Sequence, residues 1–164
     1  MLFDLDAIDI KLLEALQDDA SQSNQTLAAR AHISPPTCLR RVKRLRDGGL
    51  IEREIALLSP DKLAAAMGHG LTALVEITLD RQGTEQQEAF EARVVQDDAV
   101  QQCYRVSPGP DFVLVVHVAD MPRYQALAQR LFTSDANVRN VKAFFSTRRA
   151  KFEPKVLLAP VNRA

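Results

Sequence analysis

The chain has 164 residues, of which 46% are hydrophobic, and its 21 Lys and Arg balance its 21 Asp and Glu to a formal net charge of zero. This composition is that of a soluble globular protein, and no apolar run approaches the roughly 18 residues of a membrane-spanning helix. The acidic start of the chain lacks the pattern of a signal peptide, and Cys38 and Cys103 have neither metal-like nor redox-like spacing. We therefore expect a cytoplasmic protein with inert thiols.

The first 32 residues predict two helices and a turn. The first helix covers DLDAIDIKLLEALQDDA, with Asp4 or Asp6 as its N-cap. Its apolar residues recur at helical spacing: Ile8, Leu12, Leu13 and Leu16. The second helix covers QTLAARAHI, with Ser23 or Asn24 as its N-cap. Its inward-facing residues are Leu27, Ala28 and Ala31. A tight turn is expected at His32.

A third helix begins in the stretch ISPPTCLRRVKRLR, although this stretch contains two adjacent prolines. Ser34 is a good N-cap, and Pro35 then occupies the first helical position, where its missing N–H costs nothing. Pro36 removes a second donor that has no partner within the helix. The sequence DGG that follows predicts the end of this helix.

The two sides of the third helix differ in character. Its predicted apolar side consists of Cys38, Leu39, Val42 and Leu45. The other side is cationic, because positions 31–46 contain five basic residues and no acid. Such a face fits a DNA major groove, where Arg and Lys contact phosphates and guanine edges, but a merely solvated basic face is the alternative. The candidate DNA-binding residues are Ser34, Pro36, Thr37, Arg40, Arg41, Lys43 and Arg44.

Residues 50–70 predict a connection between two domains. LIEREIALLS has the alternating character of a strand or an extended connector, and PDKLAAAMGHG predicts a short helix that ends in glycines. We predict a helix-turn-helix domain with its connecting strand over residues 1–60 and a second domain over residues 61–164.

The second domain alternates strands and helices in the order β-α-β-β-α-β, a ferredoxin-like arrangement. LTALVEITL has apolar residues at every second position, and AVQQCYRV and DFVLVVHVA form a hairpin around SPGP. The helix TEQQEAFEARVVQ is predicted to be capped by Thr84, with Phe90 and Val94 in the core. The helix DMPRYQALAQRLF begins after Asp120 and is amphipathic. NVRNVKAFFSTRR is predicted to be the last strand.

Three stretches resemble the Lrp/AsnC family of transcription regulators: LDAIDIKLLEAL, LAARAHISPPTCLRRVKRLRDGGLI and VQQCYRVSPGPDFVLVVHVADMPRY. The resemblance covers nearly the whole chain. It implies an α+β fold, with an N-terminal (winged) helix-turn-helix domain followed by a ferredoxin-like domain that binds ligand and drives assembly. The chain departs from the family pattern at Gln22, His32 and Glu54, and the glycine of its effector loop is displaced by one position.

The resemblance also implies a site for an amino acid or related metabolite between subunits. Asp111 would bind the ammonium group, and backbone N–H groups near Ser107 and Gly109 would bind the carboxylate. Ser134 and Asn137 of a neighbouring subunit are further candidates. The alternative for Asp111 is a plain hairpin turn in which its side chain caps backbone groups.

We expect a DNA-binding transcription regulator that forms a dimer and assembles into a tetramer or octamer, associated with the nucleoid. A DNA-wrapping architectural protein without an effector is the alternative. An enzyme is disfavoured, because Cys103 has no partner histidine in a recognisable motif. No catalytic residue, metal site or cofactor is predicted.

Overall fold

The computed structural model describes residues 4–68 and 70–158, which divide into two compact units. Among the described residues, the first unit comprises 4–57 together with 152–158, and the second comprises 58–68 and 70–151. Residues 152–158, the described part of the C-terminal segment, thus cluster with the first unit. Within the described ranges, no helix combines the length and hydrophobicity needed to span a membrane.

Three helices build the first unit: α1 spans Ala7–Asp18, α2 spans Asn24–Ala31 and α3 spans Pro35–Asp47. Their N-caps are Asp6, Ser23 and Ser34, and each cap side chain accepts a hydrogen bond from a backbone N–H of the first turn. Pro35 and Pro36 occupy the first two helical positions of α3, as predicted. Prolines are tolerated at these positions because an N–H group in the first turn has no acceptor within the helix, so its absence costs no hydrogen bond.

The turn between α2 and α3 depends on His32, which adopts the left-handed conformation with φ 56° and ψ 46°. The N–H of His32 donates to the carbonyl of Ala29, and the N–H of Ile33 donates to the carbonyl of Ala28. These two bonds form a Schellman ending, a position usually occupied by glycine. The tight turn predicted at His32 is confirmed, and it directs the chain from α2 into α3.

The core of the first unit consists of small and medium apolar residues from all three helices. They are Leu12, Ala15, Leu27, Ala28, Ala31, Cys38 and Val42. Leu45 of α3 is also fully buried. Small residues on α2 let the three helices approach closely, so α3 is packed along its whole inner side.

No β-strand forms within residues 48–59, so LIEREIALLS is an extended connector rather than a strand. Ile55, Leu57 and Leu58 of this connector are exposed. The short helix predicted after it is confirmed as α4, which spans Pro60–Met67.

The second unit is a four-stranded antiparallel sheet with the strand order β2-β3-β1-β4. Its elements in chain order are β1 (Leu71–Leu79), α5 (Thr84–Val94), β2 (Val100–Arg105), β3 (Phe112–Val118), α6 (Met121–Ala128) and β4 (Val138–Phe145). A π-helical turn over Gln129–Thr133 continues α6. The predicted β-α-β-β-α-β order is confirmed.

Two details of the second unit differ from the prediction. The N-cap of α5 is Gly83, without a side-chain cap, and Thr84 is the first residue inside the helix. The strand β4 ends at Phe145, because Ser146 makes the last hydrogen bond to β1 and the chain then leaves the sheet.

Alternate residues of β1 and β3 form the core of the second unit with the two helices. From β1 and β3 these are Ala73, Val75, Ile77, Leu79, Phe112, Leu114 and Val116, and from the helices Phe90, Val94, Tyr124, Leu127, Leu131 and Phe132. Phe90 and Phe112 pack with their ring centroids 4.8 Å apart. Both helices therefore cover one face of the sheet and leave the other face open.

Candidate nucleic-acid interface and effector loop

The outer side of α3 presents four exposed residues at positions i, i+3, i+4 and i+7. They are Pro36, Leu39, Arg40 and Lys43, which we call the α3 face. Residues at this spacing are neighbours on a helix surface. Because Cys38, Val42 and Leu45 anchor the opposite side in the core, the α3 face points away from the unit.

The prediction that Leu39 packs in the core is wrong, since its side chain is 61% exposed. Each residue advances about 100° around an α-helix, so Leu39 lies that far from Cys38. Val42 and Leu45 lie close to Cys38 around the helix, but Leu39 is beyond the edge of this buried stripe. The recurrence of apolar residues every three positions therefore overstated the width of the apolar side.

The two basic residues of the α3 face are accessible to an anion. No described residue places a carboxylate in ion-pairing distance of Arg40. Lys43 pairs with Asp47 one turn later, with 2.5 Å between Nζ and the carboxylate, and both side chains are exposed. Exposed pairs of this kind contribute little to stability, so Lys43 can exchange its partner for a phosphate at small cost.

Arg41, by contrast, is turned inward and binds two carboxylates near the start of α1. Its Nη1 lies 2.8 Å from Oδ2 of Asp6 and 2.8 Å from Oδ1 of Asp9. Its side chain is only 20% exposed, and no described residue accepts a hydrogen bond from its buried Nε. Arg41, a candidate for DNA contact, thus links α3 to α1 in this structure.

Asp9 is fully buried and also binds Arg44, with 2.5 Å between its Oδ2 and Nη2 of Arg44. The side chain of Arg44 remains 43% exposed, so it borders the α3 face while it is held from behind. Sequence reasoning missed Asp9, although one signal was available. Asp9 precedes Leu12 and Leu16 by three and seven residues, which places a carboxylate on the apolar side of α1.

The carboxylates of this cluster also fix the start of α1. Asp6 accepts hydrogen bonds from the N–H groups of Ile8 and Asp9, and its own N–H donates to Asp9. The N–H of Asp9, then Arg41, hold the pKa of Asp6 below its usual value. Hydrogen bonds to Asp9 and then Asp6 raise the pKa of Arg41. Asp6 and Arg41 are therefore both charged at neutral pH, and their ion pair fixes α3 against α1.

Ser34 and Thr37 lie at the N-terminal end of α3, as predicted. The Oγ of Ser34 accepts from the N–H of Thr37, and the two hydroxyl oxygens lie 2.8 Å apart. The side chain of Asn24 donates to the carbonyl of Pro35 over 2.8 Å, a contact between α2 and α3 that the sequence did not indicate. These bonds fix the N-terminal end of α3. In helix-turn-helix proteins, the corresponding end of the recognition helix contacts base edges.

The loop between β2 and β3 lies beside an open depression of about 540 Å³. Three of the candidate effector residues line it, namely Ser107, Gly109 and Asp111, together with Gln82, Gln87 and Arg105. Polar groups make up the larger part of this lining. Ser134 and Asn137 are not part of this lining; Ser134 donates to the carbonyl of Arg130, and Asn137 binds the backbone of Arg81.

Asp111 is buried and already accepts two hydrogen bonds. Its Oδ2 lies 2.7 Å from the N–H of Leu79 and 3.2 Å from Nε2 of Gln82. Its backbone N–H donates to the carbonyl of Ile77. The carboxylate therefore joins the β2–β3 loop to the end of β1, which is the capping role considered as an alternative to ligand binding.

Replacing Asp111 by Ala is expected to destabilise the second unit by about 1–3 kcal/mol, because the buried N–H of Leu79 loses its acceptor. Asp111→Asn retains an oxygen that can accept this bond and should restore most of the loss. Urea unfolding followed by circular dichroism compares the two variants. Equal loss in both would mean that the negative charge, rather than the hydrogen bond, holds the loop.

Within the described ranges, no group of three or more His, Cys, Asp and Glu side chains is arranged to hold a metal ion. Burial raises the pKa of Cys38, and it likewise raises that of Cys103, with a further contribution from Glu91. Both thiols are therefore protonated at neutral pH.

Comparison with known proteins finds two family matches, one in each half of the chain. Residues 5–52 match the family of winged helix-turn-helix DNA-binding domains, and residues 72–156 match the Lrp/AsnC ligand binding domain. The chain is 36% identical over 148 residues to the leucine-responsive regulatory protein of Rhizobium meliloti, which covers 90% of this chain and 92% of that protein.

Among the similar solved structures, two match this chain over nearly its whole length. An AsnC family transcriptional regulator from Agrobacterium tumefaciens is 28% identical with a TM-score of 0.80, covering 93% of this chain and 97% of that one. A transcriptional regulator from Neisseria meningitidis, solved as a complex with L-Met, is 28% identical with a TM-score of 0.79. That similarity covers 94% of this chain and 97% of the other.

Proposed function

Since the chain belongs to the Lrp/AsnC family of DNA-binding transcription regulators, which are not enzymes, we propose that it binds specific DNA sites through the α3 face. We further propose that an amino acid or related metabolite, bound between subunits, modulates this binding. Residues 1–60 would form the DNA-binding domain and residues 61–164 the effector and assembly domain. The protein would act in the cytoplasm on the nucleoid.

The observation that carries the DNA proposal is the contrast between the two sides of α3. Cys38, Val42 and Leu45 are buried, whereas Arg40 and Lys43 project outward. A helix held in this way can enter a major groove about 12 Å wide with the side chains of Arg40 and Lys43 facing the DNA. Ser34, Pro36 and Thr37 would lie near the bases, and Arg44 would reach a phosphate at the side of the groove. Arg41 would act indirectly, by holding α3 in place.

The open face of the sheet supports the proposal that subunits assemble. Leu74, Phe144 and Val115 are cross-strand neighbours on the side of the sheet that no helix covers, and Tyr104 pairs with Val113 beside them. Leu74, Tyr104 and Phe144 are large and exposed. A second copy of the chain would bury these residues, and the dimer would present two α3 faces to half-sites about 34–36 Å apart.

Replacing Leu74 by Asp is expected to shift the protein to a smaller assembly, because a charge on the open sheet face would oppose burial against a second copy. Met121→Asp is the matched control, since Met121 is 40% exposed, close to the 43% of Leu74, but lies on α6. Light scattering during size-exclusion chromatography gives the masses. A parental mass for Leu74→Asp would place the subunit contact elsewhere.

The effector proposal is supported by the loop chemistry and by a relative. Asp111 brings a carboxylate to a polar depression, where it can accept from an ammonium group. The similar regulator from Neisseria meningitidis was solved with L-Met. Asp111→Asn is the informative variant, because it retains an acceptor for Leu79 and removes the charge that an ammonium group would contact.

The experiment that tests the proposed function begins with selection of DNA duplexes from a random-sequence pool by the full-length protein. A specific regulator yields a consensus, and the tightest duplex, which we call the selected duplex, is then titrated with each of the twenty amino acids present. We expect one or more of them to change the affinity or the size of the complex, and Asp111→Asn to weaken that response. A pool without a consensus, bound equally with and without amino acids, would favour the architectural DNA-wrapping alternative.

A further inference from the structure

The α3 face contains two apolar residues, Pro36 and Leu39, and of these Leu39 has the flexible aliphatic side chain. None of the described residues buries Leu39. It is 61% exposed, whereas Cys38 and Leu45 on the same helix are fully buried. Pro36, also exposed, lies three residues before Leu39 and therefore next to it on the helix surface. An apolar patch thus lies within a cationic face, beside Arg40 and Lys43.

The chemistry of the major groove limits what such a patch can contact. Phosphates and the edges of guanine, adenine and cytosine offer charges and hydrogen-bonding groups, which a leucine cannot satisfy. The 5-methyl group of thymine is the apolar group that a base pair presents in this groove. A leucine that enters the groove therefore gains free energy at a thymine and leaves polar groups unsatisfied at other bases.

We propose that Leu39 is a specificity-determining residue that packs on the methyl group of a thymine, near the base pair that Arg40 contacts. This inference rests on the proposed binding of the α3 face in the major groove. Leu39 and Arg40 leave the helix about 100° apart, so their side chains reach different base pairs of the same half-site. Arg40 supplies hydrogen bonds to one base pair, and Leu39 supplies an apolar contact to another.

The test replaces each thymine of the selected duplex, one at a time, by deoxyuridine, which removes only the methyl group. For the parent protein we expect one thymine in each half-site at which this replacement weakens binding about fourfold, the factor that corresponds to burial of one methyl group. Leu39→Ala should weaken binding to the thymine duplex by a similar or larger factor. It should also make binding insensitive to deoxyuridine at that position.

Arg40→Ala is the matched control, because it should weaken binding and yet retain the sensitivity to deoxyuridine. The proposal is overturned if no thymine position matters to the parent, or if Leu39→Ala retains the same sensitivity. It is also overturned if Leu39→Ala changes the mass of the assembly, since Leu39 would then belong to a subunit contact. Specific binding by the parent without any thymine effect would leave the proposed function standing, whereas a selection without a consensus would remove both.

Discussion

Replacing Asp9 by Ala is expected to destabilise the first unit by about 3 kcal/mol, the lower end of the range for removal of one partner from a buried ion pair. Asp9 is fully buried and accepts from both Arg41 and Arg44. Without it, Arg41 is left mostly buried with only Asp6 as a partner. The lower end applies because Arg44 is partly exposed, so water can solvate its guanidinium group once Asp9 is removed.

Glu14→Ala provides the control for this prediction, since Glu14 is an exposed carboxylate on the same helix. Such a surface substitution should change stability by no more than about 0.5 kcal/mol. Hydrogen exchange of amides in α1, α2 and α3 measures the stability of the first unit within the full-length protein. Similar exchange rates in the two variants would show that the cluster around Asp9 does not hold α1 and α3 together.

Replacing Arg40 by Ala is expected to weaken binding to the selected duplex by about 1–3 kcal/mol, roughly 5-fold to 150-fold, and to relax specificity at one base pair of each half-site. The guanidinium group has no described ionic partner that it must leave, so its full hydrogen-bonding capacity is available to a guanine edge. Lys43→Ala should instead weaken binding to all sequences alike and lower the salt dependence by about one phosphate contact.

The control for Arg40 is Arg123→Ala, the same substitution at an exposed arginine of α6. Fluorescence anisotropy at several salt concentrations gives the affinity and its salt dependence for the three variants. Equal affinity for Arg40→Ala and Arg123→Ala would mean that Arg40 does not contact DNA. Size-exclusion chromatography should show the same assembly for both, because neither side chain is buried.

The basic residues of α3 separate into two groups with different roles. Arg41 and Arg44 bind the buried carboxylate of Asp9, and Arg46 pairs with Glu54 in the connector. Arg40 and Lys43 point outward, where Lys43 has only an exposed partner. A basic run that looks uniform in the sequence therefore contains residues that fix the helix and residues that point outward. Arg44 belongs to the first group but is exposed enough to reach a phosphate as well.

Local signals predicted the path of the backbone well. Ser34, Pro35 and Pro36 are a cap followed by two residues that cannot donate, and this pattern determines the start of α3 without any tertiary information. The alternation of apolar residues in β1 likewise depends only on the period of a strand. Such signals lie within a few residues of each other, so they can be recognised in one sequence.

The side-chain contacts that the sequence did not indicate depended on distant or finely balanced interactions. Arg41 turns inward because Asp9, 32 positions earlier, is buried beside it, and neighbouring residues give no sign of this. Around the helix, Leu39 lies beyond the edge of the buried stripe by less than the angle between successive residues. The spacing of apolar residues in the sequence does not resolve so small an angle. The role of Asp111 also depends on the position of Leu79, which only the folded sheet determines.

The most direct test of the DNA interface is a scan in which each guanine of the selected duplex is replaced by 7-deazaguanine. This base lacks the N7 acceptor of the major groove but retains normal pairing and an unchanged minor groove. Entry of the α3 face into the major groove predicts about a fivefold loss of affinity at one guanine per half-site, the value of one hydrogen bond, and no loss at that position for Arg40→Ala. Undiminished binding at every position, or the same loss in Arg40→Ala, would contradict it.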